Sequence, residues 1–203
     1  RIAGRTGGAL ILGGCAALVA GVATGATGPA GPDGTPLRDT GMLLLVAGLV
    51  LVGSGAGVVG LAGPEPLGGR RVRVGLGVAA AGLMSLAICI VTPIDPGSNS
   101  LASMQYVVAG GFGFLGIGIG TLVTVVALLR ATGGPRRLGG TFLVGLVVML
   151  GCSLLANGVI HLGSLRSAVE FLVTVGGSVM LASVAGLGLV AIRGDRPGRA
   201  PAA

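Results

Sequence analysis

The sequence predicts an all-α membrane protein, a bundle of six transmembrane helices with both termini cytoplasmic. Three observations lead there: a composition too apolar for a water-facing surface, six apolar blocks of spanning length, and arginines that gather at alternate connections. Of 203 residues, 52% are hydrophobic and 9% charged, whereas a soluble domain carries about 25% charged residues. A chain this poor in charge cannot coat itself with solvated side chains.

The apolar blocks fall at about 7–26, 41–63, 72–93, 105–129, 140–163 and 168–192, read as one domain covering residues 1–203. Blocks of about 20 residues cross roughly 30 Å of hydrocarbon as helices. No water is there to satisfy free backbone groups, so an uninterrupted apolar block must be helical.

The first span contains Leu12-Gly13-Gly14-Cys15, which resembles a bacterial lipoprotein cleavage box behind Arg1 and Arg5. The apolar run continues past the cysteine through Val22, so the segment reads as a span and not a short signal core. The second span follows the proline-rich loop GPAGPDGTPLRD and carries Gly53-Ser-Gly-Ala-Gly57. The third follows GPEPLGGRRVR and ends in VTPIDPGSNS, where Asp95 sits in a turn-forming Pro-Ile-Asp-Pro-Gly sequence. The fourth opens at Gln105 and Tyr106, carries Gly116-Ile-Gly-Ile-Gly120, and ends at RATGGPRR. The fifth closes on GCSLLANGVIHLG and a short turn leads to the sixth, where Ser167 and Glu170 have the spacing of a capping box. Small residues four apart let helix backbones approach, so both glycine faces are read as packing inside the bundle, with homodimerisation or a membrane-protein partner as the alternative.

Arginines sort by side. Arg1, Arg5, Arg70, Arg71, Arg73, Arg130, Arg136, Arg137, Arg193, Arg196 and Arg199 fall on one side of six spans, and Arg38 and Arg166 on the other. Basic residues concentrate in cytoplasmic loops, which places both termini in the cytoplasm. A net charge of +7 would suit nucleic acid on a folded basic surface, but these charges lie between apolar blocks, so the expected partner is the lipid bilayer and no nucleic acid. Arg70, Arg71, Arg73, Arg136 and Arg137 are candidates for anionic headgroup contact. Arginine without lysine, among abundant glycine, alanine and valine, points to a GC-rich bacterial genome and hence a bacterial cytoplasmic membrane.

The one candidate site is polar and lies in the outer half. Ser153, Asn157 and His161 are spaced four apart and share one helix face. Asp95, Gln105 and Glu170 belong to the same end, so a small extracytoplasmic pocket can be drawn from the six. Helix-end chemistry explains most of them: His161 suits the last turn of its helix with Gly163 as cap, and Glu170 suits a capping box. Asn157, one turn inside the span, still calls for a partner across helices. One histidine and three cysteines without ligand spacing hold no metal, and no cofactor motif is present. No catalytic residue is assigned.

An echo joins the first and fifth spans, GCAALVAGV at 14–22 and GCSLLANGV at 151–159; both run in one direction and would suit parallel hairpin repeats. VTPIDPGSNS, the six-span layout and the Leu-Arg pair before the sixth span resemble an uncharacterised six-span bacterial membrane family, the domain of unknown function nine-nine-eight. That family places a histidine near the start of the fourth span, where this chain has Gln105 and Tyr106. The resemblance implies a fold and brings no activity. The functional expectation is a structural, assembly or accessory membrane protein, with a small oligomeric permease or an intramembrane lipid-modifying enzyme as alternatives.

Overall fold

The computed structural model describes residues 2–27, 36–62, 69–91, 101–131, 133–158 and 166–193, with side chains over 2–24, 40–62, 69–91, 108–131, 133–152 and 170–193. They form six α-helices: α1 (Ile2–Thr27), α2 (Pro36–Ala62), α3 (Arg70–Val91), α4 (Leu101–Leu129), α5 (Gly134–Gly158) and α6 (Arg166–Arg193). All six are long and apolar enough to cross a membrane.

Most helices begin before the apolar block that announced them, because helical geometry does not stop where hydrocarbon does. α2 starts at Pro36, the position where a missing N–H costs nothing. Gly69 and Gly133 stand just outside α3 and α5, and their carbonyls accept the first helical bonds, from Arg73 at 3.1 Å and Arg137 at 3.5 Å. Gly133 adopts φ 74°, open to glycine at no steric cost. The first turns of α3 and α5 therefore contain the arginine clusters. α6 already includes Arg166 and Ser167.

Each helix packs against its sequence neighbours, and α6 returns to α1, closing an antiparallel ring of six. The ring is built from three hairpins that use glycine in the same way. In α1 and α2, Gly7, Gly14 and Gly21 lie opposite Gly55, Gly48 and Gly41. In α3 and α4, Gly75 and Gly82 face Gly120 and Gly113, and in α5 and α6, Gly145 faces Gly176. The spacing is seven residues, the period that keeps two helices in contact along a left-handed supercoil. A Cβ placed on Gly82 would lie 2.5 Å from the Ile117 nitrogen and 2.7 Å from the Gly113 oxygen. Only a glycine hydrogen fits there, and it points at the opposite carbonyl, the geometry of a weak Cα–H···O bond. Gly8 and Gly188 make the same reciprocal approach where α6 meets α1.

The two glycine faces picked out in the sequence are used within the chain. Gly53 and Gly57 meet Ala80 of α3, and Gly116 and Gly120 meet α3 near Gly82 and Ala79. The echo between first and fifth spans does not survive as a packing register: Gly14 is buried against Val52 and Gly48, whereas Gly151 has open space around it. α1 runs unbroken through the buried Cys15.

Large apolar side chains face outward. Phe112 is 69% exposed, Phe171 67% and Val147 62%. In water such a surface would aggregate; against lipid tails it is solvated. The buried core is aliphatic and holds among others Ile11, Val52, Ala56, Val59, Val72, Leu76, Ala80, Leu128 and Leu187. These cluster toward the ring's arginine-bearing end.

Candidate functional site

Four of the six residues of the expected outer site, Gln105, Ser153, Asn157 and Glu170, belong to helix segments at the opposite end from this core. Asp95 and His161 lie outside the described residues. Gln105 is on the first turns of α4, and Ser153 and Asn157 are on the last turns of α5, where the backbone alone is described. Glu170 is exposed in the first turns of α6, and its carbonyl accepts a 3.0 Å bond from the Thr174 hydroxyl. Gln105, Ser153, Asn157 and Glu170 are thus at one end of the ring by topology. Among the described residues no three His, Cys, Asp or Glu side chains gather to hold a metal.

Arg70, Arg71 and Arg73 and, one hairpin along, Arg136 and Arg137 are exposed at the arginine end. They occupy helix N-termini without an acidic residue in the first turn. There the helix dipole opposes a cation by about 0.3–1 kcal/mol. Their placement is therefore not a helix-stabilising device.

What composition did not point to is a cavity on the axis of the ring. It has a volume of about 110 Å³ and takes lining residues from all six helices: Ile11, Val52 and Ala56, Leu76 and Ala79, Thr121 and Thr124, Phe142, Ser183 and Leu187 among them. Every helix contributes from its arginine-side half, so the cavity and the expected outer site occupy opposite halves of the bundle.

The polar atoms of this lining are three hydroxyls. Thr124 is buried and donates to the Gly120 carbonyl at 2.8 Å. Ser183 is buried, donates to the Val179 carbonyl at 2.9 Å, and shares a 3.0 Å bond with the Thr141 hydroxyl across α5 and α6. Thr121 is half-buried, and no hydrogen bond is recorded for its hydroxyl among the described residues, although a backbone carbonyl one turn back is the usual partner. A second cross-helix bond, 2.8 Å from the Ser85 hydroxyl to the Ala109 carbonyl, ties α3 to α4. Mid-span threonines and serines are the signal that locates the cavity, but a hydroxyl satisfied by its own helix leaves no trace in sequence periodicity.

Ser183→Ala is expected to cost only about 0.6 kcal/mol, the mean for an interhelical hydrogen bond in a membrane, because Thr141 keeps the Arg137 and Leu138 carbonyls as partners. Unfolding of the purified variant in mixed micelles measures this; a loss above about 2 kcal/mol would show that the hydroxyl pair holds the hairpin together.

A lateral groove lies between α1 and α6, lined by Cys15, Ala16, Val19, Ala20, Ser178 and Ala182 with two neighbours. It lies on the outer side of the contact between Gly8 and Gly188. Neither the groove nor the cavity places ionisable side chains in reaction geometry. No protein-family model matches the chain, and neither a curated protein nor a solved structure matches it.

Proposed function

We propose that the chain is a multi-pass protein of a bacterial cytoplasmic membrane, with both termini in the cytoplasm, acting as a structural, assembly or accessory component. The observation that carries this reading is the distribution of charge. In the described helices Arg5, Arg38, Asp39, Arg70, Arg71, Arg73, Arg130, Arg136, Arg137, Arg166, Glu170 and Arg193 stand at or near helix ends, and the middle of each helix is uncharged. Ion-coupled carriers place paired ionisable groups at mid-membrane, and among the described residues no such pair stands there. The arginine-rich end of the ring faces the cytoplasm, where exposed Arg70, Arg71, Arg73, Arg136 and Arg137 meet anionic headgroups, each worth about 1 kcal/mol.

Two measurements test it together. A fluorescent reporter fused after Ala203 is expected to light up in the cytoplasm, and alkaline phosphatase fused at Gly97 to be active outside; the reverse pattern overturns the orientation. Proteoliposomes of the purified chain are expected to show no proton, sodium or potassium flux above empty vesicles. Measurable flux would replace the accessory reading with the permease one, working through the outer polar residues.

A further inference from the structure

We propose that the axial cavity is a binding site for a small, mainly apolar molecule carrying one oxygen function, of the size of a short-chain alcohol. The volume sets the size. An apolar cavity of about 150 Å³ accepts benzene, with six heavy atoms, so about 110 Å³ holds roughly four. The lining sets the chemistry: Ile11, Val52, Leu76, Phe142 and Leu187 present hydrocarbon to the guest, which disfavours ions and multiply polar solutes by their desolvation cost.

The polar tip is set by the hydroxyls. Thr124 and Ser183 commit their protons to the Gly120 and Val179 carbonyls. Thr121 lines the same cavity with its proton uncommitted among the described residues. It can donate to a guest oxygen and accept from a guest hydroxyl, so an alcohol makes a reciprocal pair there where a hydrocarbon makes none. Position adds a second argument. The cavity takes a side chain from each of the three hairpins, on the side where the Gly7–Gly55, Gly8–Gly188 and Gly75–Gly120 contacts bring helix backbones together.

Xenon and 1-propanol are the probes, used on the full chain in lipid nanodiscs with xenon NMR as the readout. Saturable xenon uptake is expected, displaced competitively by 1-propanol; partition into the bilayer is not saturable and separates cleanly. Ala56→Leu and Ala79→Leu, two independent ways of filling the space, should each abolish both. Thr121→Val, which keeps shape and removes the hydroxyl, should weaken 1-propanol by about two- to tenfold and leave xenon unchanged. Should both filled variants fail to fold, wild-type competition and Thr121→Val decide alone. Absence of saturable xenon uptake overturns the site. So does uptake that both fillings leave intact, and equal propanol binding by the wild type and Thr121→Val reduces the cavity to an unselective apolar void.

Discussion

Gly82→Ala is expected to destabilise the bundle by about 1–2 kcal/mol, while Gly118→Ala on the adjoining helix leaves stability unchanged or raises it by up to about 1 kcal/mol. The two substitutions are the same in chemistry and in helix propensity, so their difference isolates the approach of two backbones. At Gly82 the new Cβ meets the Ile117 nitrogen, the Gly113 oxygen and the Gly116 carbonyl carbon, all main-chain atoms that cannot rotate aside. At Gly118 it meets open space. Overpacking costs about 1–3 kcal/mol and outweighs the roughly 1 kcal/mol that alanine returns to a helix. Unfolding of both variants in mixed micelles, with Gly77→Ala as a second open-space control, measures the difference. Equal behaviour of the variants would mean that α3 and α4 do not approach through Gly82.

The six helices are legible in the sequence because hydrocarbon leaves the backbone one solution, and a block such as 105–129 announces it by length alone. Their ends are less legible. Arg70, Arg71, Arg136 and Arg137 look like loop residues by polarity, yet they are helical, since the interface tolerates charge on a helix as readily as on a turn. The glycine pattern was half visible. Spacing of four within 53–57 and 116–120 marks real contacts, but the organising period is seven, as in Gly7, Gly14 and Gly21. Among 43 glycines that period is hidden by others, such as Gly13 and Gly77, that face open space. The cavity was not legible. Thr121, Thr124 and Ser183 are single hydroxyls in apolar runs, indistinguishable by sequence from hydroxyls turned to lipid and satisfied by their own helix, as the exposed Ser178 is by Thr174. Gln105, Ser153, Asn157 and Glu170, by contrast, belong to the other end of the bundle, where helix-end chemistry also calls for polar side chains.

Ile11→Ala tests what solvent the bundle is folded against. Ile11 is 1% exposed. It packs against Gly55 of α2 and Gly188 of α6 and forms part of the axial cavity wall, so it is the side chain on which the ring closes. In a water-soluble core such a truncation costs about 2–5 kcal/mol, the sum of lost transfer from water and the void left behind. Here lipid tails solvate the separated helices as well as protein does, so the transfer part vanishes and only lost packing remains. A void of roughly 80 Å³ at about 24 cal/mol per Å³ then gives about 2 kcal/mol. The same substitution should enlarge the cavity and raise xenon affinity, because the lost atoms leave unpaired wall that a polarisable guest can touch. Stability measured in bilayers by steric trapping reads the first number and xenon NMR the second. A loss of about 4–5 kcal/mol would restore the water-transfer part and place Ile11 in a core folded against water. A loss near zero would mean that α6 does not close on α1 through this side chain, and the ring would then be open at its first and last helices.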